Sequence, residues 1–191
     1  TEMEGFSDSD WAGCKRTGKS TSGGVIKIGE HFIKSWSKTQ ASITLSSAEA
    51  ELVAMCKLAA EMIGLGSLAA DLGADLKVTM YADSSAAIAI AKRRGSGKLR
   101  HINIGLLWIQ EKTEAEEVVI KKVKGVSNPA DMMTKGVNRE KLEMYMVMLR
   151  QKEKEGRAKE SLQLKRDIDT NKWTTKDEET NGCTSKASKH I

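Results

Sequence analysis

The segment spanning residues 46–72 constrains the fold more than any other part of the chain. Leu52, Met55, Leu58, Ala59, Met62 and Ile63 recur at intervals of three and four, the pattern of one face of an α-helix. Ser46 followed three residues later by Glu49 forms a capping box, in which Glu49 folds back onto the amide of the cap residue, and Gly73 supplies a stop. A long helix is therefore predicted here. Ahead of it, residues 4–11 read as a short strand and 15–22 as a polar connection. Residues 24–28 and 31–37 alternate apolar and polar side chains around Gly29-Glu30, as a hairpin would. Beyond it come a compact strand at 77–82 and a short Ala/Ile-rich helix at 84–94 ended by Gly95-Ser96-Gly97. A helix at 103–116, a strand at 118–124 and a helix opened by Asn128-Pro129 follow. The order is three strands, helix, strand, helices, strand, helix.

Past Val137 the character changes. Residues 138–191 hold thirteen Lys and Arg against ten Asp and Glu, with almost no apolar periodicity after Leu149. This predicts a domain at 1–137, a charged helical extension at 138–160 and a disordered tail at 161–191. The 191 residues suit one domain plus a tail, and no uninterrupted apolar run approaches the roughly 20 residues of a membrane span, so no membrane partner is expected. Cys14, Cys56 and Cys183 are odd in number and widely spaced, without a CxxC pair, which argues against a disulfide framework or zinc site and for a reducing compartment. The chain opens TEMEGFSD, with neither an initiator Met nor a basic-then-apolar leader, as a cut from a longer, unsecreted polypeptide would. A net charge of +5 is compatible with a polyanionic partner without identifying one.

Acidic residues at element ends carry the chemical signal. Hydrolysis of a phosphodiester without a protein nucleophile needs an activated water and stabilisation of the departing oxygen, which carboxylate-held divalent ions supply. Asp8 on the first strand, Glu51 early in the long helix, Asp83 just past the fourth strand and Asp131 at the start of the last helix are placed to converge. Each has an ordinary alternative: a solvated strand end, a helix-dipole residue, an N-cap, and again a dipole residue. Asp8 and Asp10 lie two apart on a strand and face the same side, so spacing does not choose between them. Between Glu49 and Glu51 it does, because the capping box occupies Glu49.

Taken together, these residues and the strings around them resemble the ribonuclease H segment of copia-type retrotransposon Pol polyproteins. GFSDSDWAG is similar to that family's first strand, KSTSGGVIKIG to its second, and IKSWSKTQASITLSSAEAELVAM to its third strand running into the first helix. VTMYADSSAAIAIAK, RHINI and VSNPADMMTKG match the later motifs, so the resemblance covers residues 5–137. It implies an α/β ribonuclease H-like fold whose mixed five-stranded sheet, three antiparallel strands then two more, is flanked by helices. It also implies Asp8, Glu51, Asp83 and Asp131 as catalytic acids binding two Mg²⁺ or Mn²⁺ ions, with Asp10 the alternative to Asp8. The implied substrate is an RNA–DNA hybrid, cut in its RNA strand during reverse transcription, with a reverse transcriptase domain upstream in one polyprotein. The setting would be the cytoplasm or virus-like particles within it.

Ser46 and Ser47 stand where such enzymes offer polar groups to RNA, and Ser47 is the better placed because Ser46 is also the cap. His101 is a candidate assistant in activating water or releasing product. Lys92, Arg93, Arg94, Lys98 and Arg100 form a basic stretch suited to phosphates. Where the family has an Asp, an Arg and a second His after His101, this chain has Asn103, Gly105, Leu106 and Leu107, and Lys135 is followed by Gly136 in place of Pro. These departures leave a catalytically inactive hybrid-binding remnant as the alternative reading. Trp11, Trp36 and Trp108 are expected in the core, and Met144, Met146 and Met148 on a docking helix face.

Overall fold

A computed structural model describes residues 1–95, 97, 101 and 103–153. The predicted tail, Cys183, Lys98 and Arg100 lie outside the described residues. Strands β1 (Glu2–Asp10), β2 (Thr21–Ile28) and β3 (His31–Thr39) form an antiparallel meander, followed by helix α1 (Ser47–Asp71), strand β4 (Lys77–Ala82), helix α2 (Ser85–Lys92), helix α3 (Trp108–Glu114), strand β5 (Val119–Lys122) and helix α4 (Arg139–Met148). The sheet order is β3-β2-β1-β4-β5. β1 runs antiparallel to β2 and parallel to β4, and β5 is parallel to β4. This is the mixed five-stranded sheet the sequence motifs imply.

Why β1 takes the centre follows from its side chains. It is buried along nearly its whole length, and successive residues serve opposite faces. Towards α1 lie Met3 and Gly5, where a Cβ on Gly5 would stand 2.3 Å from the Met62 sulfur. Towards the other face Phe6 stacks on Tyr81, with ring centroids 5.0 Å apart, beside Val25, Ala130 and Leu149. Leu52, Met55, Leu58, Ala59 and Met62 of α1 are fully buried against the sheet, as their spacing predicts. Each of the larger ones contributes roughly 1.5–3 kcal/mol of burial. α1 is long and apolar enough by length and composition alone to cross a membrane; here its apolar face covers the sheet.

Three expectations change. The helix predicted at 103–116 is a 3₁₀ turn, Ile104–Leu107, running into the shorter α3. Asn128-Pro129 opens a five-residue 3₁₀ turn, Pro129–Met133, in place of a helix. The turn is pinned by buried Asn128, whose side-chain amide donates to the Ser7 carbonyl at 2.8 Å while its Oδ1 accepts the Ala130 amide at 3.2 Å. It stops where Thr134 and Lys135 both donate to the Asp131 carbonyl. Trp11 is not a core residue: it is 49% exposed, and its indole N–H donates to the Thr44 carbonyl at 3.1 Å. Tyr145 on α4 and Leu149 at its C-cap are buried, while Met144 and Met148 are exposed.

Gly23 lets the 3₁₀ turn approach the sheet. A Cβ there would lie 2.8 Å from Met133 Cβ and 2.9 Å from the Ala130 carbonyl oxygen. Gly23→Val should therefore destabilise the protein by about 1–3 kcal/mol, the usual cost of overpacking, read as a lower urea midpoint. An unchanged midpoint would show that the turn does not rest on β2.

Candidate active site

Register places the first two acids. Ser7 opposite Ala82 is the last rung between β1 and β4, so Asp8 and Asp83 are the next residues at the C-terminal ends of adjacent parallel strands. Such ends are where α/β sheets place their ligands. Glu51 comes from the second turn of α1, and its Oε1 accepts the Ser9 amide at 3.1 Å. One oxygen from each of Asp8, Glu51 and Asp83 lies within 4.8 Å of the others. Among the described residues, buried Glu51 Oε2 has no hydrogen-bond partner.

Serines cap both the helix that carries Glu51 and the helix that follows Asp83. Ser46 Oγ accepts the Glu49 amide at 3.2 Å, while the Glu49 carboxylate takes the Leu45 amide at 2.7 Å, one residue before the one a standard capping box would use. Ser84, not Asp83, caps α2 by accepting the Ala87 amide at 3.2 Å. Gly125 closes the site from the β5 side, where a Cβ would stand 3.0 Å from Asp83 Oδ2.

The choice between Asp8 and Asp10 is structural. Asp8 is 2% exposed and in the cluster. Asp10 turns over the following loop, where a Cβ on Gly13 would lie 1.8 Å from its Oδ2.

Asp131 is also buried, but it is engaged elsewhere. Its Oδ1 pairs with Lys135 at 2.6 Å, and its Oδ2 pairs with Lys141 and accepts from the Tyr145 hydroxyl at 3.3 Å. Lys135 also lies 3.8 Å from Asp8, whose Oδ2 accepts the Thr134 hydroxyl. The structure thus brings three of the four predicted acids together and holds the fourth against two ammonium groups. Thr134 and Lys135 lie within the A-D-x-x-T-K string, but their contacts with Asp8 depend on the tertiary approach of the turn. Lys141 and Tyr145 sit past the matched motifs, with only their i,i+4 spacing as a signal.

The remaining candidates are more scattered. His101 Nε2 stands 3.6 Å from Glu49 Oε2, so it is held at the helix start outside the three-acid cluster. Ser46 is the cap and Ser47 is exposed in the first turn, four residues before Glu51. Arg94 pairs with Glu114, Arg93 is half-buried and Lys92 is exposed.

Electrostatics follow from this crowding. Burial, with Asp8 and Asp83 nearby, pushes the Glu51 carboxyl up to about 8 despite the Ser9 amide. Burial also raises Asp8, against the opposing pull of Thr134 and Lys135. For Asp131, burial acts upwards but Lys135 and Lys141 outweigh it, and its carboxyl falls below the ordinary value. A folded-state value above the unfolded one means that the native state keeps a proton the unfolded chain has lost. Stability contributed by protonated Glu51 is therefore full below its ordinary 4.5 and is lost as pH rises through about 8. In chelator, urea unfolding should show stability falling across that window, and Glu51→Gln should flatten the fall. A parallel slope in the variant would show that Glu51 does not cause it.

A central strand paired on both edges, with acids at the ends of two adjacent parallel strands and a third on the covering helix, defines a ribonuclease H-like domain. No family model matches the chain. It is 34% identical over 144 residues to the retrovirus-related Pol polyprotein from transposon TNT 1-94 of Nicotiana tabacum, a match spanning 74% of this chain and 11% of that protein. It is 30% identical over 140 residues to the corresponding polyprotein of transposon RE1 from Arabidopsis thaliana, covering 72% and 10% respectively. The chain belongs to the ribonuclease H segment of the copia-type retrotransposon Pol family and spans about a tenth of the length of these relatives. Among solved structures, LC11-RNase H1 isolated from compost is 17% identical with a TM-score of 0.49, covering 70% of this chain and 92% of that one. The N-terminal RNase H domain of rv2228c from Mycobacterium tuberculosis is 16% identical with a TM-score of 0.47, covering 77% and 97%. The fold assignment rests on strand order and register.

Proposed function

We propose that this domain is a metal-dependent ribonuclease H that hydrolyses the RNA strand of RNA–DNA hybrids during reverse transcription. The observation that carries this reading is the convergence of Asp8, Glu51 and Asp83 within 4.8 Å at the sheet's C-terminal edge. Hard carboxylate oxygens, one of them a buried and unpartnered Glu51 oxygen, fit Mg²⁺ or Mn²⁺. Asp8, Glu51 and Asp83 would hold the first ion, and Asp131 would contribute to a second once Lys135 and Lys141 release it. Bound there, two such ions supply an activated water and stabilise the departing 3′ oxygen.

The chain's own groups do the rest. The Ser9 amide fixes one Glu51 oxygen and so orients the carboxylate that stands with Asp8 and Asp83. Thr134 orients Asp8 through its hydroxyl. Ser47, exposed in the first turn of α1, would meet the 2′-OH that distinguishes RNA from DNA. Lys135, between Asp8 and Asp131, keeps local negative charge in check until substrate arrives. The upstream reverse transcriptase of the polyprotein would supply further grip on the hybrid.

The purified domain should cleave labelled hybrid with Mg²⁺ or Mn²⁺, lose that activity in EDTA, and lose about two orders of magnitude or more in Asp83→Asn, equivalent to about 3 kcal/mol. Metal-independent cutting, or equal cutting by the variant, would sink the proposal. The engagement of Asp131 by two lysines favours one alternative, a hybrid-binding remnant without turnover. Binding without cleavage at every Mg²⁺ and Mn²⁺ concentration would select it. Freeing Asp131 tests the same point from the other side: Lys141→Met should tighten Mn²⁺ binding in calorimetric titration, and unchanged affinity would show that Lys141 does not compete with metal.

A further inference from the structure

Within the basic stretch at 92–100, Arg94 pairs with Glu114. A different cationic surface is assembled between β3 and α1 from residues far apart in sequence. Lys34, Trp36 and Lys38 alternate onto the sheet face that α1 covers, opposite Ile26, Gly24 and Ser22 of β2. Gly24 has no side chain beneath the indole, where a Cβ would lie 2.1 Å from a ring carbon, so Trp36 lies flat on β2. That ring collects cations: Lys57 Nζ is 5.6 Å and Lys34 Nζ 5.9 Å from its centroid.

Among the described residues, one of these lysines is ion-paired. Lys34 pairs with Glu61 at 2.6 Å, whereas neither Lys38 nor Lys57 forms an ion pair among the described residues. Both line a small open groove of about 150 Å³ with Ser22, Thr39, Gln40 and Val53. The Lys57 ammonium is held below its ordinary value, by burial first and then by Lys38, against the pull of Glu61. Two cations sharing a groove, with the nearby Glu61 already paired to Lys34, are poised for an anion. Lys57 is six residues beyond Glu51 on α1, about 9 Å along the axis at 1.5 Å per residue, the axial span of roughly two to three nucleotides.

We propose that Lys38 and Lys57, organised around Trp36, form a backbone-binding surface for the nucleic acid whose scissile phosphate lies at the three acids. The inference rests on the nuclease reading and assigns the surface to the sugar–phosphate backbone. Base edges take no part, so it contributes affinity irrespective of sequence.

The test uses the full chain carrying Asp83→Asn, with hybrid binding followed by fluorescence anisotropy across a NaCl series. Each neutralised phosphate contributes about 0.9 to the slope of log K against log salt. Adding Lys38→Gln and Lys57→Gln should reduce that slope by about 2 and weaken binding at least about tenfold at 0.1 M salt. The doubly Arg-substituted chain should restore both. An unchanged slope in a parent that binds and, with Asp83 intact, cleaves hybrid overturns this inference alone. A parent that binds no hybrid overturns it together with the nuclease reading. Loss of binding with no change of slope would assign the lysines a packing role and reject the proposal.

Discussion

The site depends on β1 being paired along both edges. Antiparallel to β2 and parallel to β4, the strand has its backbone hydrogen bonds absorbed and both faces covered. A carboxylate carried on such a strand cannot swing into water. Asp8 is fixed in a poorly solvated position, and the parallel register with β4 puts Asp83 beside it whatever the loops do. The third acid arrives because α1 must cross the same face to bury its apolar stripe, and its second turn then passes the end of β1. Packing that covers the sheet thus also assembles the acids.

That arrangement leaves a charge problem, which Lys135 only partly solves. Desolvation first, and then like charge from Asp8 and Asp83 at Glu51 and from Asp83 and Asp131 at Asp8, raise both carboxyls. Lys135 is shared, lying closer to Asp131 than to Asp8. Burying a charge without a matched partner is costly, and among the described residues the second Glu51 oxygen has no hydrogen-bond partner. Asp131 is the opposite case. Two ammonium groups and a tyrosine hydroxyl satisfy it, so its carboxylate is stabilised as a charge in the absence of any ion. Four acids that look equivalent as motif letters therefore divide into three that call for a cation and one already supplied.

Much of this is legible in the sequence, for identifiable reasons. The extent of α1 and the strand at 77–82 can be read directly because apolar period and end signals agree there. The hairpin is legible from alternation around Gly29, which takes a positive φ of 55° at the turn. What local pattern cannot supply is tertiary choice. The 3₁₀ turn at Pro129–Met133 is set by Asn128 reaching across to Ser7, a contact between residues 121 apart. Trp11 lies on the surface because its N–H is taken by a loop carbonyl 33 residues away. The basic surface around Trp36 draws its lysines from a strand and a helix, so no window of sequence displays it, whereas the conspicuous cluster at 92–94 has Arg94 neutralised across space.

The two capping serines show how a small local choice decides what a carboxylate can do. An Asp or Glu at a helix start is ordinarily occupied by the helix's own orphan amides. Ser46 takes the Glu49 amide and Ser84 takes the Ala87 amide, and at the second helix Asp83, next to the cap, would otherwise be a good candidate for the task. With that amide already satisfied Asp83 is not needed by its helix, and its carboxylate joins those of Glu51 and Asp8. Glu49 marks the contrast within a single turn: it accepts the Leu45 amide, stands beside His101, and stays out of the cluster although it is only two residues from Glu51. Replacing Ser84 with a residue lacking a hydroxyl would do more than remove a cap worth about 1 kcal/mol, because the nearest competing acceptor for the exposed amide is Asp83, a member of the cluster.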